Sequence, residues 1–232
     1  VKAGNGFVVG RELLGWGHFE DVLADGKCAF GQNFVFDHTD KLLIQNPSGK
    51  NRASIRLHRD AKKKDTLWLR PVARVALPRH RLYQTDGESA VPVDPKPTYS
   101  VIAKVRGQGD VLGRFRVDTF HFDDTNPTED PSSVALEPQI VEVKDVSKDF
   151  RTVEFPIELP KNSAGVYANM VMIYVGLAPP TSGESTFDVD ELKWVEWRDA
   201  ENGPKVFAAY DYVKALGSSK QIDLESVSDG EK

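Results

Sequence analysis

From about residue 30 to residue 198 the chain alternates apolar and polar positions with a period of two. That is the spacing of a strand with one side in a core and the other in water. In RASIRLHR, Ala53, Ile55 and Leu57 share one side against Ser54, Arg56 and His58. TYSVIAKVRG sets Tyr99, Val101, Ala103 and Val105 against Ile102, Lys104 and Arg106. GRFRVDTFHF sets Phe115 and Val117 against Arg114, Arg116 and Asp118. RTVEFPIELP and STFDVDELKWVEW repeat the pattern, with Val153, Phe155, Ile157 and Leu159 and then Phe187 and Val189 on the apolar side. YANMVMIYVGL is apolar on both sides and predicts a central strand. Turn clusters rich in Gly, Pro, Asn and Asp separate these runs: NPSGKN, QTDGESAVPVDPKP, DDTNPTEDPSS, LPKNSAG and APPTSGES. The whole predicts an all-β chain, an antiparallel β-sandwich of the jelly-roll kind.

After Asp199 the pattern changes. GPKVFAAYDYVKALG has Pro204 inside a start and Gly217 past an end, which predicts a short C-terminal helix over 204–216. The remainder is polar and reads as a disordered tail. The expected division is therefore a β-sandwich over 1–199 and a helix or linker with its tail over 200–232. Within the sandwich the loops at 84–98 and 123–139 are long, and long loops on a rigid frame often carry binding residues.

Composition narrows the function classes. The 232 residues suit one domain plus ends, and 40% hydrophobic content suffices for a core. No apolar run reaches the roughly 18 residues of a membrane span. A net charge of −5 gives no bulk reason to expect nucleic acid as a partner. The single cysteine, Cys28, excludes an internal disulfide. The first residues lack an apolar signal core, so an exported form would have its signal removed or outside this chain.

Sugar-binding surfaces combine aromatic faces, on which C–H bonds of a pyranose stack, with polar groups for the hydroxyls. The aromatic candidates are Trp16, Trp68, Trp194, Trp197, Tyr83, Tyr99, Tyr167 and Tyr174. Trp68 stands out: in TLWLRPVARV it shares parity with Arg70 and Arg74 while Leu67 and Leu69 point away. An exposed ligand platform or an edge strand under a loop would each account for it. Arg56 with His58, Arg70 with Arg74, Lys104 with Arg106, and Arg114 with Arg116 all fall on the polar side of their strands. Gathered in one sheet, they would form a basic face suited to an acidic polysaccharide. Paired with Asp118, Glu154 and Glu158, they would instead be neutralised across strands. The five histidines are scattered, and no phosphate loop, nucleophile elbow or His/Cys metal cluster is present.

The order of motifs adds a family. Gly17–Glu20, Ser48–Ile55, Tyr99–Arg106, Phe150–Phe155 and Phe187–Leu192 follow one another as GHFE, SGKNRASI, YSVIAKVR, FRTVEF and FDVDEL. This succession resembles the carbohydrate-binding modules of families 4, 9 and 22, which are galactose-binding-like jelly rolls. The resemblance implies a structural calcium ion held by Glu20, the Lys50 carbonyl and Asp190, a hard-oxygen set that suits the ion. It also implies a non-catalytic module of an exported bacterial protein that carries a neighbouring catalytic domain to its polysaccharide. Such a module would be extracellular, periplasmic or on the cell surface. The expected ligand residues are Trp68, Arg70, Arg74, Arg56, His58, Arg114 and Arg116. The alternatives are a polysaccharide lyase or glycoside hydrolase on a jelly roll, and a structural or adhesion sandwich that binds no sugar.

Overall fold

The structure, a computed structural model, describes residues 7–14, 41–45, 53–71, 75–77, 83–85, 90–92, 98–122, 133–161, 163, 165, 167–199, 212–215 and 221–223. The strands, in order, are β1 (Phe7–Glu12), β2 (Lys41–Gln45), β3 (Ala53–Asp60), β4 (Leu67–Leu69), β5 (Val75–Ala76), β6 (Tyr83–Thr85), β7 (Ala90–Pro92) and β8 (Thr98–Gln108). They continue as β9 (Gly113–Phe122), β10 (Ser133–Ala135), β11 (Gln139–Val143), β12 (Arg151–Ile157), β13 (Met170–Leu177), β14 (Glu184–Asp199), β15 (Tyr212–Ala215) and β16 (Gln221–Asp223).

Every pairing is antiparallel. The first sheet has eight strands in the order β12-β8-β14-β1-β15-β16, with β3 also on β14 and β2 on β3. The second has six, β10-β9-β13-β4, with β11 on β9 and β5 on β13. A small β6-β7 hairpin stands apart. The alternation of the sequence places the core between the two sheets. Ile55, Leu57, Val101, Ala103, Val105, Phe187 and Val189 face Leu69, Phe115, Val117, Ile173, Val175 and Leu177 in one buried cluster. Rings lock its ends: Tyr99 stacks on Trp194 with centroids 5.3 Å apart, and Phe115 meets Phe187 edge-on at 6.2 Å. Burying each such side chain contributes about 1.5–3 kcal/mol.

β14 is the axis of the first sheet. Its early half pairs with β3 from Glu184 to Val189, and its late half pairs with β1 from Val195 to Asp199. Between them the register against β8 slips by one residue, between Asp190 and Lys193, and Glu191 takes a φ of 47°. This bulge moves the inward set from Phe187 and Val189 to Leu192 and Trp194. Lys193, Val195 and Trp197 then lie on the outer side, where Val195 and Trp197 form a second buried cluster with Ile102.

The described part of the expected C-terminal helix is not helical. Tyr212–Ala215 is a strand on β1, and Gln221–Asp223, inside the tail expected to be disordered, pairs with it in turn. The rest of 204–216 lies outside the described residues. β1 would otherwise leave a row of unpaired backbone groups, and Tyr212 and Val213 suit an extended backbone. Strands from both sides of the expected 199/200 division therefore share one sheet. Ser133–Ala135 and the β6–β7 hairpin likewise add strand pairing inside stretches read as loops.

Candidate functional site

The outer face of the second sheet carries the sequence's best aromatic candidate. In β4, Leu67 and Leu69 turn inward and are buried, so Trp68 between them turns outward and is half-buried. Trp68 is opposite Gly176 of β13, Gly176 is opposite Arg114 of β9, and Arg114 is opposite Glu142 of β11. A Cβ at position 176 would come within 2.6 Å of the indole, so only glycine lets the ring lie flat across β13.

The next outward row holds Tyr174, Arg116 and Ile140, and the one after it Met172 and Asp118. The Arg116 guanidinium carbon stands 5.3 Å from the Tyr174 ring centroid. Arg116 donates from Nε to Asp118 Oδ1 at 2.6 Å and from Nη2 to Oδ2 at 3.0 Å. Arginine and aspartate two residues apart on one strand share a side, so the fork closes within β9. Hydrogen bonding to Asp118 raises the Arg116 pKa, against a smaller opposing effect of burial. Burial first, then the charge of Asp118, pushes the Tyr174 phenol above its usual value. That phenol therefore stays protonated through the ordinary pH range.

Arg114 donates from Nη1 to Thr66 Oγ1 at 2.7 Å and from Nη2 to Glu142 Oε1 at 2.9 Å. Lys144 reaches the other Glu142 oxygen at 3.4 Å. The hydrogen bond from Arg114 holds the Glu142 carboxyl below the usual carboxylate range. Arg70, just past β4, is exposed, and its charge is felt by Tyr174. Ile140, 53% exposed, is the large apolar side chain left open on this face among the described residues.

The expected ligand residues do not form one basic face. Trp68, Arg70, Arg114 and Arg116 belong to the second sheet, whereas Arg56 and His58 stand on β3 in the first. Arg56 and Arg106 clamp Asp188 between them: Arg56 donates twice at 2.7 Å, and Arg106 Nε donates at 2.8 Å. Phe150 lies beneath Arg106, 4.4 Å from guanidinium carbon to ring centroid. His58 approaches Glu184 at 3.3 Å. Lys104 is ion-paired with Glu191. The opposing acids are therefore Asp188, Asp118, Glu142, Glu184 and Glu191. Of the three acids expected to pair across strands, Asp118 pairs instead within its own strand, with Arg116, and Glu154 accepts from Ser100 at 3.0 Å.

Most other aromatic candidates are packing: Trp194 and Tyr99 are in the core, and Trp197 donates its indole N–H to Ser100 Oγ at 3.0 Å. Arg74, Trp16, Glu20 and Lys50 lie outside the described residues. Of the expected calcium ligands Asp190 is described: it is 7% exposed, and its Oδ1 accepts the Glu191 N–H at 2.8 Å. Among the described residues no three His, Cys, Asp or Glu side chains are grouped to hold a metal.

No protein-family model matches the chain, and no curated protein matches it. Among solved structures it is similar to an arabinose-bound GH51 α-L-arabinofuranosidase, at 12% identity and a TM-score of 0.50 over 80% of this chain. The match spans about a quarter (26%) of that enzyme's chain. It is also similar to TmCBM61 in complex with β-1,4-galactotriose, at 13% identity and a TM-score of 0.40, covering 82% of this chain and 99% of that one. The family 30 carbohydrate-binding module of a cellulosomal cellulase of Clostridium thermocellum gives 11% identity and a TM-score of 0.35, covering 86% and 96%. The likeness to the arabinofuranosidase is one of fold alone.

Proposed function

We propose that the chain is a non-catalytic carbohydrate-binding module whose ligand face is the outer surface of the second sheet around Trp68 and Tyr174. The observation that carries this reading is the seat of Trp68, held flat on Gly176 and turned away from the core. A tryptophan fixed in that way offers its ring to a pyranose at little cost in side-chain entropy. Tyr174, Arg114, Arg116, Asp118 and Glu142 surround it with hydroxyl-binding groups. Arg114 keeps the Glu142 carboxyl ionised, an acceptor for sugar hydroxyls beside the ring.

The module would act by effective concentration, holding an attached or partner enzyme near its polymer outside the cell or at its surface. A calcium ion on Glu20, the Lys50 carbonyl and Asp190 would tie the first part of the chain to β14. Affinity electrophoresis in gels containing galactan, xylan, β-glucan, polygalacturonate or alginate tests the reading. Retardation by at least one polymer, lost in Trp68→Ala, is the expected result. Unretarded migration through all of them would overturn it.

A further inference from the structure

Arg114 and Arg116 of the ligand face are already engaged, and this bears on what kind of glycan they can read. On the glycan-binding reading of this face, we propose that Asp118 sets the ligand class, making the face select an uncharged glycan over one bearing carboxylate or sulfate groups. Arg116 spends on Asp118 the two N–H groups that would form a fork with a ligand carboxylate. Asp118 is 8% exposed, so the ion pair is held in a medium that screens it little. A uronate or sulfate arriving above Tyr174 finds the Arg116 fork taken and its charge offset, and would have to share one guanidinium with a second carboxylate, a cost that serves specificity.

A neutral sugar meets a different surface. The pair still offers donors at Arg116 Nη1 and acceptor lone pairs on Asp118, which match hydroxyls that both give and accept hydrogen bonds. Tyr174, one row from Trp68, adds a hydroxyl of the same kind. Arg114 is tied in turn to Thr66 and Glu142. Arg70 adds a charge at the exposed margin of the sheet, where water and salt screen it.

The test compares neutral with acidic polymers at low and tenfold higher salt. The full chain is expected to be retarded by a neutral galactan, xylan or β-glucan with little salt dependence, and not by polygalacturonate or alginate. Asp118→Asn should gain retardation by the acidic polymers, about tenfold or more in apparent affinity, and lose it again in salt. Retention of the unaltered protein by acidic polymers alone would overturn this inference and leave the glycan-binding reading standing. Free migration through every gel would overturn both. If Asp118→Asn does not fold, the polymer preference and salt response of the unaltered protein decide the matter.

Discussion

The Trp68 indole occupies the space that a side chain on Gly176 would need: its Cε3 and Cζ3 atoms lie 2.6 Å from where that Cβ would stand. A methyl group there must lift the ring or spread β4 from β13. Gly176→Ala is expected to cost about 1–3 kcal/mol and to weaken glycan retention. Trp68→Ala should lower the melting temperature by only a few degrees, about 1 kcal/mol for a half-buried ring, while abolishing retention. Thermal melts beside affinity gels check both. A Gly176→Ala protein that melts and binds as before would show that the glycine does not seat the ring.

Asp188 is 1% exposed and bridges Arg56 and Arg106. Replacing it with alanine leaves two guanidiniums facing each other without their shared anion. The expected loss is about 3–5 kcal/mol, read by urea unfolding. Arg56→Met, which leaves the Arg106 contact in place, should cost clearly less. Equal losses in the two variants would contradict the clamp.

Asp190 is the described member of the expected calcium set, with one oxygen on the Glu191 N–H. Glu191 is itself paired with Lys104 and lies 3.7 Å from the Lys193 ammonium. Chelator is expected to lower the melting temperature, and calcium at a hundredfold excess over its dissociation constant to restore about 2.7 kcal/mol. Asp190→Ala should erase that response. A melting temperature that ignores both chelator and calcium would remove the ion from the account.

β15 and β16 close the open side of β1. A chain ending at Asp199 should melt several degrees lower than one ending at Asp223 and should associate through the bared edge. Light scattering and melting curves distinguish this from a dispensable tail, which would leave both unchanged.

Alternation revealed which way Trp68, Arg114, Arg116 and Arg56 point, because side chains on a strand obey its period whatever lies beside it. It did not reveal which strands are neighbours. Whether the basic residues of β3 and β9 share a face was therefore left open, and they belong to different sheets. Nor did it reveal depth: Asp188 reads as a solvent-side acid, and two arginines from flanking strands bury it. The Arg116–Asp118 fork was legible, since RVD places both on one side. The bulge of β14 also left a trace, in the shift from Phe187 and Val189 to Leu192 and Trp194 across two adjoining acids. Within the stretch at 204–216, Tyr212–Ala215 is a strand between β1 and β16, which the flanking Pro and Gly do not announce. Propensity there yielded to an unpaired edge far away in sequence.

The slip at Glu191 falls where β14 hands over from β3 to β1 on the same flank. It divides the outside of the first sheet into two tracts of unlike chemistry. Ahead of it lies a lattice of interlocked charges, and behind it an oily strip of Ile102, Val195 and Trp197. Removing that one supernumerary residue would let Leu192 follow Asp190 in plain alternation, with Trp194 still inward and Val195 still outward. A strand that kept Glu191 but lost the bulge would instead turn its second half inside out, sending Trp194 into water and Val195 into the core.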